Sequence, residues 1–212
     1  MYRDDVINYF IKKYNFKRYL EIGVFEGGNI KKIDCPHKDG VDPGAEGVIA
    51  PEVNYNMTSN EFFEKHAPNN EKYDIVFIDG LHHHKQVTID IDNALLYTTD
   101  NAIIVLHDCN PISLNHTLIP RIQAAWQGDT YKAVLEFQKN NTKHLYFTID
   151  YDWGLGVIVK NHPISNKLYA EEYDRAIIDW TYFEHNRKQL LNLLSINNME
   201  DLYNPGLGII SR

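Results

Sequence analysis

The chain has few cysteines and no excess of positive charge. Only Cys35 and Cys109 occur in 212 residues. This number is too small for a disulfide framework and fits a reducing cytoplasm. Lys and Arg number 21 against 29 Asp and Glu, which gives a net charge of −8. Because binding to phosphate backbones draws on clustered positive charge, this balance argues against a nucleic-acid partner.

Long apolar segments and several well-known site motifs are also absent. No stretch of about 18 apolar residues occurs, so we expect no membrane span. Met1–Asp5 lack the apolar core of a signal peptide, and we expect a cytoplasmic protein. The sequence contains no C-x-x-C pair, no H-E-x-x-H motif, no G-x-S-x-G elbow and no G-x-x-x-x-G-K-[ST] loop. These absences leave zinc protease, serine hydrolase and P-loop chemistry without support.

The sequence does contain an alternation of apolar, strand-like runs and helical segments. Residues 73–79 and 102–107 are nearly continuous apolar runs, which is typical of strands buried on both faces of a sheet. Residues 143–149 and 156–160 have no long helix between them and are predicted to pair antiparallel at the sheet edge. We therefore predict one α/β domain over residues 1–212, a mostly parallel sheet with helices on both faces. Further strands are predicted at 18–23, 38–42 and 54–58, and helices at 4–14, 28–33, 61–66 with Ser59 as N-cap, 84–97, 119–126, 130–138 and within 167–194.

The first apolar run leads into a glycine-rich turn. Residues 19–29 read YLEIGVFEGGN, and the next apolar run ends in Asp42. Glycine lets a backbone approach a ligand closely, and a carboxylate at that position can accept hydrogen bonds from ribose hydroxyls. The spacing is not the dinucleotide fingerprint G-x-G-x-x-G, because Val24 and Phe25 follow Gly23. The turn fits a nucleoside without phosphates, such as S-adenosylmethionine. The alternative is an ordinary tight strand–helix turn.

Acids and histidines follow the two most apolar runs. Ligands of open α/β sheets bind beyond the carboxyl ends of the strands, so Asp79, His107 and Asp108 should share a crevice if their strands are neighbours. The three form a candidate triad for a divalent metal. Carboxylates favour Mg²⁺, Ca²⁺ or Mn²⁺, and the imidazole shifts the preference toward Mn, Fe or Zn. His82 is the candidate general base. The alternatives are carboxylates that hydrogen-bond loop backbone and a histidine without a catalytic role.

With these segments in place, the sequence resembles the class I S-adenosylmethionine-dependent methyltransferases, in the small bacterial branch related to sugar and antibiotic O-methyltransferases. Four segments carry the resemblance, namely 20–28 (LEIGVFEGG), 57–63 (MTSNEFF), 73–82 (YDIVFIDGLH) and 104–111 (IVLHDCNP). The resemblance implies a Rossmann-like sheet of seven strands whose last two strands include the antiparallel pair.

The resemblance also implies roles for individual residues. Glu21, Gly23 and Gly27 would line the methionine part of the cofactor, and Asp79 would also contact the cofactor. Asp42 would bind the ribose. Met57, Thr58 and Ser59 would flank the adenine. In the metal-dependent relatives, acids after the fourth and fifth strands hold magnesium, and these positions match Asp79 and Asp108. His107 departs from relatives with two adjacent acids. The need for a metal and its identity therefore stay open.

These features predict methyl transfer from S-adenosylmethionine to a hydroxyl of a small molecule, such as a sugar or nucleotide sugar in polysaccharide biosynthesis. His82 would act as base, Asp79 and Asp108 as metal ligands or orienting carboxylates, and His107 as third ligand or substitute base. Residues 110–143 are predicted to cap the acceptor, and 165–212 to form a C-terminal helical extension. In the cap, Trp126 and Tyr131 could stack on a sugar ring, but packing under a loop is the more common use of either ring alone. The alternatives are a non-catalytic S-adenosylmethionine-binding protein and a metal-dependent hydrolase or hydroxylase on the same fold. Formation of a homo-oligomer is left open.

Overall fold

A computed structural model describes residues 2–162 and 168–195. The described chain forms one seven-stranded sheet with strand order β2-β1-β3-β4-β6-β5-β7. The strands are β1 (Arg18–Ile22), β2 (His37–Val41), β3 (Tyr73–Ile78), β4 (Thr98–Leu106), β5 (Leu145–Ile149), β6 (Leu155–Val159) and β7 (Leu193–Leu194). The helices are α1 (Arg3–Tyr14), α2 (Ser59–Lys65), α3 (His84–Leu96), α4 (Thr130–Asn140), α5 (Ala170–Ile178) and α6 (Trp180–Leu190).

The directions of the strands confirm the predicted sheet. Strands β2, β1, β3 and β4 are parallel neighbours, and β6 runs antiparallel between β4 and β5. The antiparallel pair was predicted at the sheet edge, but β7 lies outside β5 and pairs with it in parallel. The prediction missed β7 because two residues directly after a helix carry no strand periodicity of their own.

The core consists of two layers, one on each face of the sheet. Successive side chains of β3 alternate between the layers, so Ile75 and Phe77 face one and Val76 and Ile78 the other. The first layer is closed by α1, and the second is closed by α2 to α6. The side chains that the helices bury there include Val6, Ile7 and Phe10 in the first layer, and Phe62, Ile91, Val134 and Phe183 in the second. Because both faces are covered there, β3 and the second part of β4, residues 102–106, are apolar nearly throughout.

Three local predictions near the first half of the sheet need correction. The cap of α2 is Thr58 and not Ser59, because the Thr58 side chain accepts from the Glu61 N–H while the Glu61 carboxylate accepts from the Thr58 N–H. The strand predicted at 54–58 is reduced to one bridge between Val41 and Tyr55. The helix predicted at 28–33 is a 3₁₀ turn, Ile30–Lys32.

The loop between β4 and α4 is irregular. Residues 119–126, all of them described, form no helix, contrary to the prediction. Pro120 lacks an N–H donor, and its ring disfavours the helical conformation at Ile119. The Trp126 indole instead donates to the Leu118 carbonyl at 2.9 Å, which ties the loop to itself.

The predicted C-terminal extension, 165–212, contains α5, α6 and β7 within residues 168–195. Its remaining residues, 165–167 and 196–212, lie outside the described residues. Among the described helices, none has both the length and the apolar character needed to cross a bilayer.

Candidate functional site

The candidate site lies where three neighbouring parallel strands end. The order β1-β3-β4 brings together the segments that follow these strands, as predicted. Gly23 follows β1, Asp79 follows β3, and His107 and Asp108 follow β4. The strands are also held in register at this end, because the Asp79 N–H donates to the Ile22 carbonyl and the His107 N–H to the Ile78 carbonyl. The crevice is therefore a consequence of the sheet order.

The glycine turn after β1 is packed tightly against the end of β3. Gly23 has φ +87°, and a Cβ at this position would lie 2.6 Å from the Gly80 Cα. Asp42 supports the turn from the side of β2. Its carboxylate accepts from the N–H groups of Val24 at 2.9 Å and Phe25 at 2.8 Å, and from that of Gly44 at 2.7 Å. Asp42 thus organises the backbone of the turn, and its predicted contact with a ribose stays a prediction.

A cavity of about 380 Å³ opens beside this turn. Its walls come from the turn, from the first residues of α1 and from Asp79. Of the predicted cofactor residues, Glu21, Gly23 and Asp79 line it. The other predicted cofactor residues lie elsewhere around the turn and at the start of α2, namely Gly27, Asp42, Met57, Thr58 and Ser59. Two of the three residues predicted to line the methionine part of the cofactor therefore line this cavity, as does Asp79, and Gly27 is not among its lining residues.

Two polar side chains in the cavity wall are joined by hydrogen bonds. The Glu21 carboxylate accepts from the Asn29 amide at 2.8 Å and from the buried Tyr19 hydroxyl. Burial raises the pKa of Glu21 to about 7, although these two hydrogen bonds oppose the shift. The carbonyl oxygen of Asn29 is buried and has no hydrogen-bond partner among the described residues. A buried acceptor without a partner in a cavity wall fits a ligand with N–H donors.

At the other side of Asp79, two carboxylates surround an imidazole. The His82 Nε2 lies 3.3 Å from Asp79 Oδ1, and its Nδ1 lies 3.1 Å from Asp108 Oδ2. One ligand atom of each residue can be chosen so that the three lie within 4.8 Å of one another. His82 Nδ1 and Asp108 Oδ1 are buried and make no hydrogen bond within the described chain. Oxygen and imidazole donors in this arrangement fit a divalent cation.

His107, the imidazole predicted as the third ligand, lies deeper. Its Nδ1 is 3.2 Å from Asp79 Oδ1 and 3.3 Å from Asp108 Oδ1, so it contacts both predicted acids. Its side chain is 7% exposed, against 21% for His82. The structure therefore brings the four residues together, and His82 is the more accessible of the two imidazoles.

The electrostatics of the cluster follow from the close contact of two carboxylates with two imidazoles. Burial by itself would raise the pKa of Asp79, but the charges and hydrogen bonds of His107 and His82 outweigh it and hold that pKa below its usual range. Burial raises the pKa of Asp108. Burial would lower the pKa of both imidazoles, yet the neighbouring carboxylates raise it. Without a cation, the neighbouring carboxylates thus favour the charged form of both imidazoles.

Two further members of the site were missed from the sequence. Arg3, at the start of α1, donates from Nη1 to Asp79 Oδ2 at 2.6 Å. It also donates from Nε to Asp152 Oδ2 at 2.9 Å and from Nη2 to Asp152 Oδ1 at 3.3 Å. Asp152 Oδ1 in turn lies 3.5 Å from His107 Nε2. No local pattern indicates this contact, because Arg3 and Asp152 are 149 positions apart.

The turn between β5 and β6 carries Asp152 into the site. Asp152 and Trp153 have positive φ angles of 46° and 63°. The carbonyls of Trp153 and Gly154 accept from the N–H groups of Asn110 at 3.0 Å and Cys109 at 2.9 Å. These bonds fix the turn against the segment that follows β4. The sequence DYDWG at 150–154 predicts only a connection between two strands, and nothing in it indicates a site residue.

The two aromatic rings predicted for the acceptor cap have different environments. Trp126 stacks on His82 with ring centroids 5.5 Å apart and planes at 20°. Tyr131 is 2% exposed and packs against Phe183 and Trp180, with centroids at 4.4 and 5.9 Å. Tyr131 is therefore a core residue, and only Trp126 reaches the site.

Comparison with known proteins agrees with this geometry. A family model described as a methyltransferase domain matches residues 34–109. Among curated proteins, none matches the sequence significantly. Solved structures with the same fold include O-methyltransferase TomG from Streptomyces achromogenes, in complex with S-adenosylmethionine. It is 14% identical with a TM-score of 0.55, over 76% of this chain and 80% of that one.

Two further structures have the same architecture. The O-methyltransferase from Bacillus cereus, in complex with S-adenosylhomocysteine, is 12% identical with a TM-score of 0.56, over 74% of this chain and 80% of that one. A provisionally assigned O-methyltransferase from Klebsiella pneumoniae is 14% identical with a TM-score of 0.57, over 76% and 80%. The chain therefore has the fold of these O-methyltransferases, and the family model over residues 34–109 agrees with the resemblance predicted from the sequence.

Proposed function

We propose that the protein transfers a methyl group from S-adenosylmethionine to a hydroxyl of a small molecule. The observation that supports this proposal is the double position of Asp79. It lines the cavity beside the glycine turn, and it belongs to the cluster with His82 and Asp108. A methyl donor bound in the cavity and a hydroxyl bound at the cluster would therefore both lie next to Asp79.

Methyl transfer is an in-line displacement at the carbon of a sulfonium, and the cofactor carries its own leaving group. The protein must align the acceptor oxygen with the methyl carbon and exclude water. The rigid turn at Gly23 and the buried acids beyond β3 and β4 are suited to alignment. The acceptor hydroxyl must also lose its proton, which requires a base or a cation.

The residues fit a divalent cation such as Mg²⁺, which Asp79, Asp108 and His82 would hold. When bound, the cation would lower the pKa of a coordinated hydroxyl. The sequence predicts His107 as third ligand and His82 as base. We favour His82 as the third ligand, because one of its ring nitrogens lies within 4.8 Å of one carboxylate oxygen each of Asp79 and Asp108. Its side chain is also more exposed than that of His107. His107, in contact with both acids, then orients them.

The acceptor is proposed to enter between this cluster and the segment 110–143. Trp126 from that segment already stacks on His82, and a planar or sugar ring could be held against the same indole. A saccharide or nucleotide sugar, and a role in polysaccharide biosynthesis, remain our proposal for the acceptor class. We also retain a single domain over residues 1–212 and a cytoplasmic location as parts of this proposal.

The proposal is tested in two steps. Calorimetry should show binding of S-adenosylhomocysteine to the full chain. Labelled S-adenosylmethionine is then offered with a panel of catechols, saccharides and nucleotide sugars, with Mg²⁺ or with a chelator. We expect methyl transfer to at least one hydroxyl compound, and its loss with the chelator.

The other outcomes separate the alternatives. Tight cofactor binding without transfer to any acceptor would favour the non-catalytic binding protein. Absence of cofactor binding would favour a different enzyme on the same fold. Transfer that is unaffected by the chelator would reject the cation and return the role of base to His82.

A further inference from the structure

We propose that Arg3 binds the carboxylate of the cofactor's amino-acid group, and that Asp152 holds Arg3 in place for this task. The inference rests on the proposed function and adds a specificity residue to it. S-adenosylmethionine ends in a zwitterion, with an ammonium and a carboxylate on the same carbon. A site that recognises it needs an anionic partner for the first group and a cationic partner for the second.

The cavity has a ready partner for the ammonium. Glu21 and Asn29 stand side by side in its wall, linked by the 2.8 Å hydrogen bond. The Asn29 amide nitrogen donates to Glu21 and to Tyr19, which fixes the orientation of the amide and leaves its carbonyl oxygen as an acceptor. That oxygen has no hydrogen-bond partner in the described chain. An ammonium group supplies N–H donors for both residues.

The carboxylate needs a cation, and four of the six charged residues that line the cavity are acids, namely Asp4, Glu21, Glu26 and Asp79. Its cationic residues among the described ones are Arg3 and Lys32. The Lys32 side chain is 59% exposed, which places it at the rim, whereas that of Arg3 is 27% exposed. A hydrogen bond to a charged group gains strength as water is excluded, so Arg3 is the better carboxylate partner.

The contacts of Arg3 suit this role. Asp152 holds the guanidinium by Nε and Nη2 and also accepts from the Arg3 backbone N–H at 3.1 Å. The Asp79 carboxylate accepts a hydrogen bond from one N–H of Nη1. A guanidinium has five N–H donors, and these bonds use three of them within the described residues. The remaining two can receive a carboxylate while Asp152 keeps the group oriented.

The experiment compares two probes that differ only in the carboxylate. They are S-adenosylhomocysteine and its decarboxylated analogue, S-adenosyl-3-thiopropylamine, which keeps the ammonium. Calorimetry gives the ratio of their dissociation constants for the wild type, for Arg3→Ala and for Lys32→Ala. The lysine variant is a matched control, since it removes one positive charge from the same cavity.

We expect the wild type and Lys32→Ala to prefer S-adenosylhomocysteine by about 10- to 100-fold, as a charge-assisted hydrogen-bond pair supplies. In Arg3→Ala this preference should fall to about threefold or less. The analogue has no carboxylate for Arg3 to bind, so the substitution should weaken only the binding of S-adenosylhomocysteine. Arg3→Lys, which keeps the charge without the fork, should retain an intermediate preference. It also serves as the test variant if Arg3→Ala does not fold.

Three results would overturn the inference. The preference could survive in Arg3→Ala, it could vanish in Lys32→Ala instead, or Arg3→Ala could weaken both probes equally. The last result would assign Arg3 a purely structural role between α1 and the β5–β6 turn. A wild type that binds neither probe would reject the proposed function itself, and the inference with it.

Discussion

Replacement of Gly23 by alanine tests the origin of the site geometry. The residue has φ +87°, which costs an L-residue about 1–2 kcal/mol. Its new Cβ would lie 2.6 Å from the Gly80 Cα and closer still to the Asp79 carbonyl oxygen, whereas carbon atoms normally approach to about 3.5–4.0 Å. Both neighbours are backbone atoms of the segment after β3. Relief of this overlap must separate the ends of β1 and β3, at a further cost of about 1–3 kcal/mol.

The expected loss in the free energy of unfolding is therefore about 2–5 kcal/mol. Urea denaturation followed by circular dichroism measures it. Gly28→Ala is the matched control, because its Cβ would meet nothing within 4 Å and its φ is not in the positive range. That variant should change the free energy of unfolding by about 0.5 kcal/mol or less. Equal midpoints and slopes for Gly23→Ala and Gly28→Ala would refute the packing argument.

Three more predictions concern the site. Asp108→Asn should lower turnover by about 100-fold or more. The dissociation constant of S-adenosylhomocysteine should stay within about twofold of wild type, because Asp108 is not part of the described cavity wall. A loss of cofactor affinity as large as the loss of turnover would contradict this prediction. Burial raises the pKa of Glu21 to about 7. Its protonated form therefore stabilises the fold below the unfolded pKa of about 4.5, and this contribution disappears as the pH rises through about 7. Unfolding curves between these pH values should show a steeper loss of stability for the wild type than for Glu21→Gln, and identical pH slopes would count against the shift. Trp126→Ala should weaken acceptor binding, which raises the KM for the acceptor, while the affinity for the cofactor stays unchanged. An altered cofactor affinity with a normal KM for the acceptor would reject the role of the indole.

The site combines contacts between neighbouring segments of the chain with contacts between segments that are far apart in the sequence. Asp42 lies 18 positions after Val24 and 17 after Phe25. Its carboxylate accepts hydrogen bonds from the backbone N–H groups of these two residues and of Gly44. Arg3 reaches Asp79 and Asp152 from the far end of the chain. The cavity beside the glycine turn thus forms only when the start of α1 and the ends of β1 and β3 are packed together.

Much of the fold was predictable, because its signals are local. The continuous apolar runs of β3 and β4 indicated strands covered on both faces, and the structure confirms this. The short link between β5 and β6 predicted their antiparallel pairing, which is also confirmed. Predictions failed where local preference is weak or overridden, as at residues 119–126, where Pro120 interrupts an otherwise helical composition, and at β7, which exists only through its pairing with β5.

For the site, the sequence by itself determined which acids and histidines follow the strands that meet at the crevice. Crossover rules constrain the strand order, so the sequence alone is enough to predict that Asp79 and Asp108 lie near each other. Only the tertiary structure decided that both imidazoles contact these two acids, and that Arg3 and Asp152 join them. Such contacts depend on the directions of side chains and on loop conformations far apart in the chain, and no spacing between neighbouring residues encodes them.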